Sequence, residues 1–376
     1  MAAVLRPSSI VRAAAPAVEP DRKPAVAADA VKVMLVDDSL TVRTVFSRMI
    51  SSEPDLTVVA QAETAEKALV HLRTTAVDVI LLDLEMPGMG GLEALPAILK
   101  GSAGARVLVV SSLTETGAKA TLSALSIGAA DTMLKPRPGG FNEEYRETLL
   151  GKIRALGTAK NTSVEGEPAL HAAAPQAISS RKRPHVVAIG ASTGGIHALN
   201  LFLRKLPAAF DLPILITQHL PESFIPVFAR QMETAAGRPA LLADEGTPIE
   251  RGKIIIAPGH GHLIARKLAG RVVTGLAHHR VESGCMPSVD PMLETLCEAY
   301  NGHVAAVVLS GMGRDGSQGA KIVAEAGGAI YAQDEASSAV WGMPRGVIES
   351  GLASAILPPG DLAEQVAASA GDAAWS

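Results

Sequence analysis

Aromatic side chains make up only 3% of the 376 residues, and no apolar run approaches the roughly 20 residues that a bilayer-spanning helix requires. The richest stretch, Val304 to Leu309, stops at Ser310. A membrane-spanning helix is therefore excluded, direct membrane insertion is not expected, and the chain is read as cytoplasmic. Cysteine is as scarce: Cys285 and Cys297 could form at most one bridge and belong to no Cys-x-x-Cys pair. Both are expected to be buried thiols in a reducing compartment. Excess positive charge is missing too. The formal net charge is −4, and the only basic cluster is Arg181-Lys182-Arg183, too short for the basic face that phosphate backbones demand. No nucleic-acid partner is expected. Residues 1–30 are rich in Ala and Pro, and Arg6 and Arg12 interrupt the apolar core of any secretory signal. They read as a disordered tail.

What is present is enough apolar material, 48% of residues, for two ordinary cores. From Val31 on, β-branched runs alternate with helical patterns: Val33–Val36, Val58–Ala62, Val77–Leu82, Val107–Val110 and Thr132–Leu134. Five β/α units imply a parallel sheet covered on both faces. The last helix carries Phe141, Tyr145, Leu149, Ile153 and Leu156 on one stripe. The periodicity lapses over 157–184, read as a linker. A second α/β series occupies 185–370, with strands expected at Val186–Ile189, Ile214–Gln218, Ile254–Ile256, Ala305–Leu309 and Ala329–Tyr331. A hairpin over Leu263–Thr274 is expected to turn at Ala269-Gly270. The fold expectation is α/β: two doubly wound parallel-sheet domains, the first flavodoxin-like over 31–156 and the second Rossmann-like.

In the first domain Asp37 and Asp38 follow strand one, and Asp83 ends strand three. A sheet of order 2-1-3-4-5 makes these neighbours at its topological switch point. Three carboxylates there suit Mg²⁺, which would shield an incoming phosphoryl group. Ser111 and Lys135, ending strands four and five, can hold a phosphate on Asp83.

In the second domain Ile189-Gly190-Ala191-Ser192-Thr193-Gly194-Gly195 follows a strand and opens a helix. Its glycines permit a tight turn with backbone N–H groups aimed at developing negative charge, and Ser192 stands where a nucleophile would be exposed. A dinucleotide loop would be followed by an acid at the next strand end; that strand ends in Gln218-His219 instead, and the Gly-Lys-Ser/Thr of a P-loop is missing. Asp315 lies beyond the strand Ala305–Leu309. Ser192, His219 and Asp315 thus fall on one rim as a nucleophile, base and orienting acid. The order Ser, His, Asp and the lack of G-x-S-x-G separate this arrangement from α/β-hydrolases. His260, His262, His278 and His279 carry no accompanying zinc pattern, and His262 is expected to line the cleft. Ser288, Asp290 and Asp334 are rival site residues without a glycine-rich turn, better suited to capping or shaping the pocket.

Residues 31–156 resemble the receiver domains of two-component response regulators through V-D-D-S, L-L-D-L-E-M-P, V-V-S-S and L-K-P. The resemblance implies that Asp83 accepts the phosphoryl group, that Asp37 and Asp38 bind metal, and that Ser111 and Lys135 contact phosphate. Thr132 stands where such receivers often carry an aromatic residue, and Gly90 where they often carry an acid. From His185 to Pro358 the chain resembles the catalytic domain of the chemotaxis protein-glutamate methylesterases and glutaminases, through I-G-A-S-T-G-G, Q-H-L-P, I-A-P-G-H, P-S-V-D, S-G-M-G-R-D-G and A-Q-D-E-A-S-S-A-V-W-G-M-P. Met286 replaces an arginine common in that family. This resemblance implies a Ser192–His219–Asp315 esterase with Thr193 and Met312 at the oxyanion side or cleft, and no cofactor in the esterase site. It also implies a histidine kinase as phosphodonor and methyl-accepting chemoreceptors as substrate. A receiver-controlled binding protein with a catalytically silent second domain is the competing reading.

Overall fold

The structure is a computed structural model that describes residues 29–112, 114–136, 140–161 and 182–371. The expected tail, but for its last two residues, and most of the expected linker lie outside them. The first domain runs β1 (Val31–Val36), α1 (Leu40–Ser51), β2 (Leu56–Ala62), α2 (Ala65–His71), β3 (Val79–Asp83), α3 (Gly91–Gly101), β4 (Arg106–Ser111), α4 (Glu115–Ile127), β5 (Asp131–Leu134) and α5 (Glu143–Asn161). Its five strands are parallel in the order β2-β1-β3-β4-β5. Because helices cover both faces, a central strand such as β3 (VILLD) is buried at every position. The expected stripe on α5 buries Leu149, Ile153 and Leu156 fully. That helix continues five residues past the expected domain end at Leu156.

The second domain continues with β6 (Val186–Ala191), α6 (Gly195–Lys205), β7 (Ile214–Gln218), α7 (Ile225–Ala236), β8 (Ala240–Leu242), β9 (Ile254–Ile256), β10 (His262–Leu268) and β11 (Arg271–Ala277). It closes with α8 (Val289–Ala299), β12 (Val304–Val308), α9 (Ser317–Glu325), β13 (Ala329–Gln333), α10 (Met343–Glu349), β14 (Ala355–Leu357) and α11 (Pro359–Ala370). Seven parallel strands lie in the order β14-β13-β12-β6-β7-β9-β8. The chain moves outward from β6 to β7 and later returns to place β12 on the other side of β6. That reversal makes the carboxyl ends of β12, β6 and β7 a switch point, where a doubly wound sheet leaves a crevice. The β10–β11 hairpin turns at Ala269 and Gly270, both with positive φ, as the primed turns that suit strand twist require. Two three-residue strands at the sheet edges, β8 and β14, were not expected from sequence.

Candidate active and phosphorylation sites

In the first domain Asp37 and Asp38 sit just beyond β1, and Asp83 closes β3. Their carboxylate oxygens lie within 4.8 Å of one another. Lys135, immediately after β5, places Nζ 2.6 Å from Asp83 Oδ2 and 3.6 Å from Asp37 Oδ2. Burial pushes the Asp37 carboxyl above its ordinary range, Asp83 and Asp38 add to the shift, and Lys135 opposes it. Burial alone would lower the Lys135 ammonium, but Asp83 and Asp37 outweigh it and raise it. Among the described residues Asp37 Oδ2 is buried with no hydrogen-bond partner, as is the Ser111 hydroxyl at the end of β4. A buried acceptor left without a donor is costly. A hard cation, met by three carboxylates and no soft ligand, fits this need.

The second site gathers on the rim of the seven-stranded sheet. Ser192 follows β6, and its backbone is pinned on both sides: its N–H donates to Ser310 O at 3.0 Å, and its carbonyl accepts from Gln218 Nε2 at 2.9 Å. Gly194 adopts φ +78 and caps α6, and a Cβ there would approach Ser310 Oγ to 2.6 Å. Gly311 passes so close to the serine that a Cβ on it would stand 2.9 Å from Ser192 Cβ. The Met312 loop is therefore held against Ser192. His219, just past β7, directs Nε2 to Asp315 Oδ2 at 2.8 Å. Asp315 is buried and accepts two further bonds, from Ser288 Oγ (2.6 Å) and the Val289 N–H (2.8 Å). These donors and the imidazole overcome burial and hold its carboxyl down at about 2. For His219, burial works against the charged ring, but Asp315 and the Cys285 thiol prevail and raise it to about 9. The imidazole thus rests protonated at neutral pH, with Cys285 as its second neighbour.

Residues 187–366 match the family described as CheB methylesterase, and residues 33–140 match the response regulator receiver domain. The chain is 38% identical over 369 residues to the protein-glutamate methylesterase/protein-glutamine glutaminase 1 of Rhodospirillum rubrum, covering 90% of this chain and 95% of that protein. It is 40% identical over 348 residues to a second such protein, from Caulobacter vibrioides, covering 90% and 99%. The crystal structure of the Thermotoga maritima CheB methylesterase catalytic domain is 34% identical, with 49% of this chain and 98% of that chain covered and a TM-score of 0.48. The chain belongs to the CheB protein-glutamate methylesterase/glutaminase family. Its first domain is a response regulator receiver, and the acidic cluster Asp37/Asp38/Asp83 is the typical Mg²⁺ site of such a domain.

In this CheB-family chain the receiver lies directly on the loop that follows β6. The Ala130 carbonyl, preceding β5, accepts from the Gly194 N–H at 2.6 Å, and Asp131 Oδ2 accepts from the Thr193 hydroxyl at 2.6 Å. Asp131 is itself paired with Lys152 of α5. Ser126 of α4 bonds three partners of the other domain: Asn200 Nδ2, Gln231 Nε2, and, through its carbonyl, His197 Nδ1. Arg106 reaches Ser338 O at 3.0 Å. Beneath these contacts Ala118, Leu122 and Leu125 of α4 join one hydrophobic cluster with Ile196, Leu199 and Phe228. A cavity of about 540 Å³ remains between the domains, lined at one end by Lys135 and Tyr145 and at the other by His219 and Phe224.

Several expectations change. His262 does not line the cleft: it is fully buried, with Nδ1 accepting from the Ser288 N–H and Nε2 facing His279 O. Cys285 is half-buried rather than buried, whereas Cys297 is buried as expected. Thr193 offers its hydroxyl to the receiver, and Met312 is 44% exposed beside the cleft. Ser288 does cap α8, and in addition it holds Asp315, a role invisible in the sequence. Asp290 binds the Gly319 N–H, and its carboxyl is pushed up to about 6, chiefly by burial. Asp334 accepts from Ser337 within its own turn. His260 and His278 stack with centroids 6.3 Å apart, and neither belongs to a group of three potential metal ligands among the described residues.

Proposed function

We propose that the chain hydrolyses glutamyl γ-methyl esters on methyl-accepting chemoreceptors, releasing methanol, with Ser192, His219 and Asp315 as its triad. The observation that carries this reading is the pinned Ser192 on the same rim as an imidazole bonded to a buried, triply held carboxylate. Ser192 Oγ attacks the γ-carbonyl while His219, once neutral, takes its proton. Asp315 fixes the ring and stabilises the imidazolium that forms. The backbone around Thr193 and Met312 supplies N–H groups to the developing oxyanion. His219 then protonates departing methanol, and water attacks the acyl-enzyme with the imidazole again as base. A glutamine side chain enters the same sequence with ammonia as leaving group, which accounts for the deamidation named in the relatives.

The receiver restrains this site. Asp131 opens the four-residue strand β5 and Lys135 directly follows it, so the phosphate contact and the bond to Thr193 move together. A histidine kinase supplies the phosphoryl group to Asp83, with Mg²⁺ held by Asp37, Asp38 and Asp83 shielding its charge. Phosphorylation replaces the Lys135–Asp83 pair, offers the orphan Ser111 hydroxyl a partner, and shifts β5 away from the Thr193–Gly194 loop. The population then moves toward an open cleft. The substrate lies in the cytoplasmic portion of the receptor, where the enzyme acts without entering the membrane; no described helix is long and apolar enough to cross one.

Methanol release from methylated receptor membranes tests both halves. Wild type should release methanol and accelerate with acetyl phosphate and Mg²⁺, Ser192→Ala should lose at least about 10³-fold, and Asp83→Ala should keep basal activity without acceleration. No release from wild type under any condition would refute the esterase reading and favour the silent binding domain.

A further inference from the structure

We propose that Cys285, His219 and Asp315 form a binding site for a soft divalent cation of the zinc type, and that filling it silences the enzyme. The thiol, the imidazole and the carboxylate each offer a donor atom, and all three atoms lie within 4.8 Å of one another. A thiolate, an imidazole and a carboxylate are the ligands that zinc selects, and three protein ligands leave its fourth position for water. Zinc bonds of about 2.0–2.3 Å put tetrahedral ligands roughly 3.3–3.6 Å apart, so the widest separation in the cluster must close by at most about 1.5 Å, while the 2.8 Å contact between His219 and Asp315 opens by about 0.5 Å. The chain can supply that movement at Cys285. The residue sits in the loop between β11 and α8, directly after Gly284 at φ +68. Its sulfur makes a long contact, 3.7 Å, to Ser283 O and also lies against the His219 ring.

Access and support are also present. A cavity of about 300 Å³ opens beside Cys285 and Asp315, with Met312 and Arg314 on its wall. Ser288 Oγ and the Val289 N–H hold Asp315 from behind, as hydrogen bonds to a ligating carboxylate do in built metal sites. Mg²⁺ does not compete here, because it prefers an all-oxygen octahedron and finds one better approximated at Asp37, Asp38 and Asp83. A cation on the His219 ring occupies the group that must take the Ser192 proton. The silencing rests on the esterase reading above; the metal site does not.

The test uses the full chain in excess Mg²⁺, so that the receiver carboxylates are occupied, titrated with Co²⁺. Thiolate-bound cobalt absorbs in the near ultraviolet, and with only two cysteines in the chain the source of such a band is unambiguous. A band saturating near one equivalent is expected in wild type and in Cys297→Ala, erased by Zn²⁺ and missing from Cys285→Ser. Zn²⁺ should stop methanol release reversibly, activity returning after chelation and restored Mg²⁺, and Cys285→Ser should need at least about 10-fold more Zn²⁺. No band in wild type, a band that survives Cys285→Ser, or equal zinc sensitivity of the two proteins would overturn the proposal. A Cys285-dependent band in a protein that never releases methanol would uphold the metal site and remove only the esterase reading.

Discussion

His219 illustrates how single contacts set the chemistry of this chain. With Asp315 and Cys285 holding its pKa near 9, the imidazole is protonated at neutral pH and cannot accept the Ser192 proton. A base with a raised pKa is active above that pKa and idle below it. Ester hydrolysis should therefore climb about tenfold per pH unit from neutrality and level off near pH 9, as a pH profile of kcat/KM under constant phosphodonor would show. Ser288 acts through Asp315. Ser288→Ala removes a helix cap worth about 1 kcal/mol and a bond to a charged carboxylate. The expected outcome is a kcat lower by about 10-fold with KM little changed, and a Tm lower by a few degrees, checked by steady-state kinetics and thermal melting. The placement of Ser192, His219 and Asp315 on one rim was legible in the sequence because each directly follows or lies just past a strand end within a glycine-rich or polar motif. The bond from Ser288 to Asp315 and the approach of Cys285 were not. Both residues reach the site because the loop before α8 packs against the loop that follows β12, a long-range packing event that no local spacing encodes.

At the level of elements, β5 is where the two domains communicate, and α4 is the wedge between them. Ser126 faces outward from the receiver core into Asn200 and Gln231, so enlarging it strains the contact without disturbing the receiver. Ser126→Arg should raise methanol release in the absence of phosphodonor by several-fold and shrink the further gain from acetyl phosphate, measured side by side with wild type. Central strands were readable from sequence because continuous burial in a parallel sheet selects apolar, β-branched-rich runs such as Ile214–Thr217 and Ile254–Ile256. The edge strands β8 and β14 escaped notice because three residues, none of them fully buried, leave no such run. The overrun of α5 past Leu156 has a similar cause. Its last turn extends beyond the apolar stripe, so the periodicity stops before the helix does.

Across the whole molecule the two-domain plan was plain from composition, motif order and the lapse of pattern after Leu156. The residues that dock one domain on the other were not. Interface residues such as Leu122, Leu125 and Ile196 look like ordinary core positions, Asp131 looks like an ordinary polar group, and Thr193 reads as part of the esterase site alone, until the fold brings them together. Phosphorylation is expected to separate them. The hydrophobic cluster shared by α4, α6 and α7 has a calorimetric corollary. While it is intact, neither domain can melt without exposing apolar surface on its neighbour, so unphosphorylated protein should show a single endotherm whose van't Hoff and calorimetric enthalpies agree. Once the cluster is parted by a stable phosphoryl mimic such as beryllofluoride, the same chain should melt in two steps, the switch appearing as a change in the size of the cooperative unit.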